Sequence, residues 1–262
     1  MPLDRLLRPM IAAIAALTVA TAAAGQDKPP VIAAAADLKF AVAEIAAAFE
    51  ADTGHRVEVT LGSTGNFATQ IREGAPFQMF MAADEAFVLQ LADEGLTRDK
   101  GVLYGEGRLV IMAPHGSDLQ PDPAMNNLAD LIESGRLTKF AIANPEHAPY
   151  GLRAQEALEH RELWDAIQSH IVLGENVSQA AQFALSGNAE GGIIAYSLAL
   201  APDVAALGDF ALIDQDWHEP LLQRMVLLTN AGPVAEEFYA YVQSPKAREI
   251  MVAYGFSLPE GD

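Results

Sequence analysis

Four short polar segments of this chain stand between a strand-like apolar run and a helix-like run. They are Ala36-Asp37, Gly62-Ser63-Thr64-Gly65, Pro149-Tyr150-Gly151 and Asn176-Val177-Ser178. The start of a helix presents N–H groups without intrahelical acceptors and the positive end of the helix dipole. The hydroxyls of Ser63 and Thr64 add two donors. Because such turns collect beyond the carboxyl ends of strands in open α/β sheets, the segments together predict a socket for a small anion.

Each turn taken alone is also typical of ordinary helix capping. Asp37, Ser63 or Thr64, and Asn176 are favoured N-cap residues, and such a cap is worth about 1 kcal/mol without any ligand. Spacing along the chain does not show that the four turns meet in space. A capping role and a binding role therefore both remain open for these residues.

Strand-like and helix-like segments alternate along most of the chain. Val31–Ala36 is predicted as a strand, Leu38–Asp52 as a helix and Arg56–Leu61 as the next strand. The alternation predicts an α/β fold with two lobes, each a mainly parallel sheet flanked by helices, and a ligand cleft between them. We place lobe 1 at 27–108 plus 221–262 and lobe 2 at 109–220. The hinge is then expected where the chain crosses near Arg108–Ala113 and Leu221–Leu228.

The first 24 residues have the composition of a cleaved signal peptide. Arg5 and Arg8 precede the apolar run Met10–Ala20, and the small residues Ala22–Ala24 follow it, so export from the cytoplasm is predicted. The formal net charge of -19 argues against a nucleic-acid partner, because phosphates require a basic surface. The absence of cysteine excludes disulfides and thiolate metal sites. The six histidines form no i,i+4 pair, so a zinc site is not expected.

Several segments in the same order carry a family resemblance across nearly the whole chain after residue 24. They are Ala33–Leu38, Gly62–Ile71, Gly74–Phe77 with Phe80–Asp84, Asn144–Gly151, Glu175–Val177 and Tyr254–Phe256. At these segments the chain resembles the periplasmic molybdate-binding proteins, the soluble components of molybdate ABC importers. The resemblance implies a monomer in the periplasm that binds a tetrahedral oxyanion, molybdate or tungstate, and delivers it to a permease in the inner membrane. It implies no enzymatic activity, no cofactor and no metal beyond the oxyanion.

The same resemblance implies which residues bind the oxyanion. Asp37 matches the ligand position of the first turn, and Ser63 and Thr64 match those of the second. Tyr150 and Val177 match positions whose backbone N–H groups bind from the other lobe. One branch of the family adds a tyrosine hydroxyl after Gly191-Gly192, and Tyr196 lies one residue beyond that place. Because strand side chains alternate between faces, this offset would point Tyr196 away from the ligand, but Tyr196 is kept as a candidate ligand-binding residue.

Asp37 departs from the serine or asparagine that is usual in the family, because an ionised aspartate accepts hydrogen bonds but cannot donate them. Three hypotheses follow. The side chain turns outward as an N-cap while its backbone N–H serves the ligand, which is the favoured one. It accepts a proton from a protonated oxyanion such as phosphate, or it selects a cationic or uncharged ligand. A more distant alternative is a secreted hydrolase that uses Asp37 with His147 or Ser63, although no nucleophile–base motif is recognisable.

Overall fold

The computed structural model describes residues 28–259, and the predicted signal peptide at 1–24 lies outside them. The strands are β1 (Val31–Ala35), β2 (Glu58–Gly62), β3 (Phe77–Ala82), β4 (Val102–Gly107), β5 (Leu109–Pro114), β6 (Phe140–Ala143), β7 (Ile171–Gly174), β8 (Gly191–Ala195), β9 (Gly208–Leu212) and β10 (Leu221–Leu227). The helices are α1 (Lys39–Thr53), α2 (Thr64–Arg72), α3 (Glu85–Asp93), α4 (Asn126–Glu133), α5 (Pro149–His160), α6 (Trp164–Ile167), α7 (Val177–Leu185), α8 (Tyr196–Ala199), α9 (Pro202–Ala205), α10 (Pro233–Val242) and α11 (Pro245–Ala253). Over the described range, no helix has the length and apolar character needed to cross a membrane.

Two five-stranded sheets form the two lobes. The strand order is β2-β1-β3-β10-β4 in lobe 1 and β7-β6-β8-β5-β9 in lobe 2. In each sheet one strand, β10 or β5, is antiparallel to both of its neighbours. The sheets are mixed: the pairings among β1, β2 and β3 and among β6, β7 and β8 are parallel as predicted, and those of β10 and β5 are antiparallel. The reason is the crossing of the chain between the lobes. The two reversed strands are the first after each crossing: β5 follows the crossing into lobe 2, and β10 follows the return to lobe 1.

The sheet of lobe 1 is covered by helices on both faces. Ile32 and Ala34 pack with α1, α10 and α11, whereas Ala33 lies in the opposite layer with α2 and α3, as the alternation of strand side chains requires. Lobe 2 has a core of its own around β5, β6 and β8. This arrangement confirms the predicted two-lobe α/β architecture. The predicted lobe boundaries stay predictions. The pairing of strands shows which strands belong to each lobe but not which lobe the connecting segments belong to.

A single residue separates β4 from β5 where the chain first crosses from lobe 1 to lobe 2. β4 ends at Gly107 and β5 begins at Leu109, which leaves Arg108 as the connection. The return passes through the 3-10 helix Gln215–Trp217 into β10. Connections this short bring the carboxyl ends of the strands of both lobes close together, and the four polar turns stand at those ends.

Candidate functional site

All four polar turns line one hollow between the lobes. Its empty volume is about 200 Å³, part of it open to solvent. The lining residues are Ala35, Ala36, Asp37, Gly62, Ser63, Thr64 and Ala83 from lobe 1, and Ala148, Pro149, Tyr150, Asn176 and Val177 from lobe 2. No lysine or arginine of the described chain is among them. Any anion held here is therefore bound by neutral donors, which cost little further desolvation because they are fixed in place before binding.

Ser63 and Thr64 contribute buried hydroxyls, and both also have structural partners. Ser63 Oγ caps α2 by accepting from the Asn66 N–H at 3.4 Å, and it lies 2.8 Å from His147 Nδ1. Thr64 Oγ1 accepts from the Ala83 N–H at 3.0 Å. No hydrogen bond between described residues uses the hydroxyl hydrogen of Thr64, so it is free to donate into the hollow. Capping and ligand contact are thus compatible at this turn.

Tyr150 and Val177 supply backbone N–H groups from lobe 2. Both residues stand in the first turn of a helix, where an N–H has no intrahelical acceptor. Across residues 28–259, no protein acceptor receives either N–H. The side chain of Asn176 caps α7 by accepting from the Gln179 N–H at 3.0 Å, which leaves the Val177 N–H for a ligand.

The carboxyl group of Asp37 turns inward, which overturns the favoured hypothesis of an outward N-cap. Its side chain caps neither the 3-10 helix Ala36–Leu38 nor α1, and the residue is 1% exposed. Oδ2 accepts from Gln223 Nε2 at 2.7 Å and from the Tyr150 hydroxyl at 3.1 Å. Burial raises the pKa of Asp37 to about 6, although the hydrogen bonds from Gln223 and Tyr150 act to lower it.

Gln223 is a site residue that sequence reasoning missed. It lies on β10, is fully buried, and also donates to the Tyr150 hydroxyl at 3.1 Å. Ser197 is a second, since its Oγ donates to the Asp37 carbonyl at 2.8 Å. The only signal for Gln223 is a polar residue within the apolar run LLQRMVLL, and the run does not show what the amide contacts.

Hydrogen bonds and an ion pair join the lobes around the hollow. The Gly65 N–H of lobe 1 donates to the His147 carbonyl of lobe 2 at 2.9 Å. Arg153 of α5 pairs with Asp84, the N-cap of α3, at 3.0 Å. The described conformation is therefore one in which the lobes are closed.

Tyr196 is not brought to the hollow. Strand β8 ends at Ala195, and Tyr196 starts the short helix α8, where its N–H donates to the Arg108 carbonyl at 2.9 Å. Its ring packs edge-on against Phe210 at a centroid distance of 5.7 Å. The structure therefore places the candidate Tyr196 away from the hollow, and the reason is that it begins a helix beyond the end of β8.

A serine–histidine contact also exists, and it bears on the hydrolase alternative. His147 Nε2 lies 3.8 Å from Glu175 Oε2 while Nδ1 contacts Ser63 Oγ. Ser63 Oγ is engaged as a helix cap and is 4% exposed, and a base should bond to its orienting carboxylate more closely than this. Within residues 28–259 there is no cluster of three histidine, aspartate or glutamate residues that could hold a metal ion.

The comparison with known proteins decides the family. A sequence model described as "Bacterial extracellular solute-binding protein" matches residues 30–257. The chain belongs to this family. The resemblance indicated by the sequence is confirmed by a molybdate-binding protein of Azotobacter vinelandii, 35% identical over 90% of this chain and 93% of that protein. The molybdate-binding protein of Rhodobacter capsulatus is 34% identical, with coverage of 90% and 89%. The solved periplasmic molybdate-binding protein of A. vinelandii has a TM-score of 0.79 at 28% identity, covering 88% of this chain and all of that one.

Proposed function

We propose that this protein is the substrate-binding component of a molybdate ABC importer and that it binds molybdate or tungstate in the hollow. The observation that carries the proposal is the convergence of unused donors from both lobes on one buried space. A tetrahedral oxyanion offers four oxygens that accept hydrogen bonds in diverging directions, which suits donors arriving from opposite sides. The two relatives that are 35% and 34% identical are named molybdate-binding proteins, which supports molybdate as the oxyanion.

In this proposal the ligand contacts come from both lobes. The hydroxyls of Ser63 and Thr64 donate from lobe 1, and the backbone N–H groups of Tyr150 and Val177 donate from lobe 2. Asp37 faces the ligand, and Tyr196 has no part in binding. The ligand draws the lobes together because it makes its full set of contacts only in the closed state.

The remaining parts of the proposal concern the setting of the protein. We infer a monomer, exported by the signal peptide at 1–24 to the periplasm, that hands the oxyanion to a permease in the inner membrane. No cofactor and no chemical step is required, because capture needs only hydrogen bonds and lobe closure. The family is one of transport proteins, which supports a binding role over the hydrolase alternative.

A thermal-shift panel tests the proposed ligand. Molybdate and tungstate are expected to stabilise the mature protein most, by about 2.7 kcal/mol at 100 times the dissociation constant, because they bind the folded state alone. Sulfate, phosphate and arsenate, at the same concentrations and ionic strength, serve as comparison oxyanions. A shift with phosphate and none with molybdate or tungstate would contradict the proposal. Turnover of a chromogenic ester that is lost in Ser63→Ala would favour the hydrolase instead.

A further inference from the structure

The two oxygens of the Asp37 carboxyl group have different surroundings. Oδ2 accepts two hydrogen bonds, from Gln223 Nε2 and from the Tyr150 hydroxyl. Oδ1 is buried and has no partner in the described part of the chain, although its residue lines the hollow. A buried carboxyl oxygen without a partner costs free energy, and a ligand in the hollow that Asp37 lines would be the group beside it.

An oxyanion in the hollow would place one of its oxygens, a hydrogen-bond acceptor, opposite Asp37 Oδ1, which is also an acceptor. An ionised carboxylate accepts hydrogen bonds only, so two bare oxygens would repel each other at contact distance. One proton between them turns the repulsion into a hydrogen bond. Because Oδ2 is already occupied by two donors, the free position for that proton is Oδ1.

We propose that Asp37 carries a proton on Oδ1 and donates it to one oxygen of the bound oxyanion, so that capture of the ligand takes up a proton. The inference rests on the proposed function and assigns Asp37 as the residue that makes affinity depend on pH. Atoms and charges balance simply, since a proton from solvent joins the carboxylate and no covalent bond of the ligand changes.

The groups facing Asp37 leave its carboxylate without a cationic partner. Tyr150 and Tyr104 are nearest, and burial raises the pKa of both phenols well above the ordinary value, so both stay neutral. His147 contacts Ser63 Oγ and is not among the residues that line the hollow. Without a cationic partner, burial shifts the carboxyl group toward its neutral form and raises its pKa to about 6.

The elements packed against the 3-10 helix Ala36–Leu38 add no charge beside the carboxyl group. The elements packed against its backbone are α1, α7, α8 and β2. The carboxyl group also contacts α5 through Tyr150 and β10 through Gln223, and the arginines of these two elements are paired elsewhere, Arg153 with Asp84 and Arg224 with Glu85. Helix α7 has no titratable residue, α8 has only Tyr196, which packs on Phe210, and β2 has only the exposed Glu58 at its far end. The charged residues of α1 have partners elsewhere: Lys39 over the Phe40 ring, Glu44 with Tyr254, Glu50 with Arg56 and Asp52 with Lys246.

The direction of the pH dependence follows from the raised pKa of Asp37, which is about 6 when the lobes are closed. Only the protonated fraction binds a fully deprotonated oxyanion, and the apparent dissociation constant is the intrinsic one divided by that fraction. Below pH 6 the affinity for molybdate approaches its maximum. Above pH 6 it falls about tenfold per pH unit, which makes it roughly 100-fold weaker at pH 8.

Isothermal titration calorimetry with molybdate tests the proposal. Wild-type protein is titrated between pH 6 and pH 8.5 in pairs of buffers with different ionisation enthalpies, which gives the number of protons taken up. About one proton is expected at pH 8, together with the tenfold loss of affinity per pH unit. Asp37→Asn keeps the shape and places a permanent N–H donor toward the ligand. It is expected to take up no proton, to bind independently of pH, and to bind about 100-fold more tightly than wild type at pH 8.

The control is Asp93→Asn, which removes an exposed carboxylate at the end of α3 and is expected to behave as wild type. Binding of molybdate by wild type without proton uptake and with constant affinity overturns the role of Asp37 but leaves the proposed function standing. Failure of molybdate and tungstate to bind wild type or Asp37→Asn at any pH overturns the proposed function itself. If Asp37→Asn does not fold, proton uptake by wild type and the second variant Asp37→Ser decide the question.

Discussion

Replacing Gly65 with alanine is expected to weaken oxyanion binding about 100-fold while the ligand-free protein stays folded. An added Cβ at this position would lie 2.7 Å from the carbonyl oxygen and 3.1 Å from the Cα of His147. These are backbone atoms of the opposite lobe and cannot rotate aside. Overpacking of this kind costs about 3 kcal/mol, which corresponds to roughly 100-fold in affinity. Titration with molybdate measures the loss.

The clash exists only when the lobes are closed, so stability and affinity should separate in this variant. In an open protein the same alanine meets no neighbour from lobe 2, and it favours the helix over glycine by about 1 kcal/mol. The melting temperature without ligand is therefore expected to be unchanged or slightly higher. A melting temperature that falls while the affinity stays normal would contradict the prediction. It would show that the contact between Gly65 and His147 does not depend on closure of the lobes.

Gly151→Ala is the matched control, because Gly151 also stands in the first turn of a helix. Its added Cβ would lie 2.2 Å from the carbonyl oxygen of Ala143, and α5 and β6 belong to the same lobe. This clash is present whether the cleft is open or closed. Gly151→Ala should therefore lower the melting temperature without ligand, in contrast to Gly65→Ala.

Local signals in the sequence predict the place of each turn between a strand and a helix, whereas the meeting of the four turns is implied by the family resemblance. An apolar strand, a polar turn and a helix place each turn at a carboxyl end, and the shape of the fold brings those ends together. The capping interpretation and the binding interpretation are compatible in the structure. Ser63 and Asn176 cap their helices and also line the hollow. The same residues can therefore serve both as helix caps and as part of the site.

The orientation of Asp37 was not accessible, because distant residues determine it. The donors to Oδ2 come from Tyr150 and Gln223, which are 113 and 186 residues away in the chain. Near Asp37 the sequence shows only a polar residue before a helix, which is typical of a cap. The Asp37 carboxyl group points inward because it accepts from the side-chain amide of Gln223 on β10. The position of β10 in turn depends on its antiparallel pairing with β3 and β4.

The sequence does not predict strand β4. β4 contains three consecutive residues, Gly105-Glu106-Gly107, that interrupt any apolar alternation. The reason for a glycine at the end of β4 is tertiary: a Cβ on Gly107 would lie 2.2 Å from the Tyr150 hydroxyl oxygen. A close approach between lobes therefore accounts for a residue that a strand pattern taken alone disfavours.

Arg153→Met is expected to weaken molybdate binding about 100-fold. The Arg153 side chain is 10% exposed, and its guanidinium pairs with Asp84 at 3.0 Å and with Glu156 at 2.5 Å. Removing it leaves two largely buried carboxylates without their cation in the closed state, and breaking such a pair costs about 3 kcal/mol or more. In an open cleft Asp84 regains water, so the cost falls on closure and appears as lost affinity.

A double-mutant cycle with Asp84→Asn separates a stranded charge from lost packing. Asparagine still caps α3, as Asp84 does through the Ala86 N–H at 2.9 Å, but it carries no charge to strand. Arg153→Met combined with Asp84→Asn should therefore bind about tenfold more tightly than Arg153→Met alone, because coupled neighbours are not additive. The exposed pair of Arg56 and Glu50 is the control, and Arg56→Met should leave the affinity unchanged. Strictly additive losses would mean that Arg153 acts through the packing of its stem within lobe 2 and not through the ion pair between the lobes.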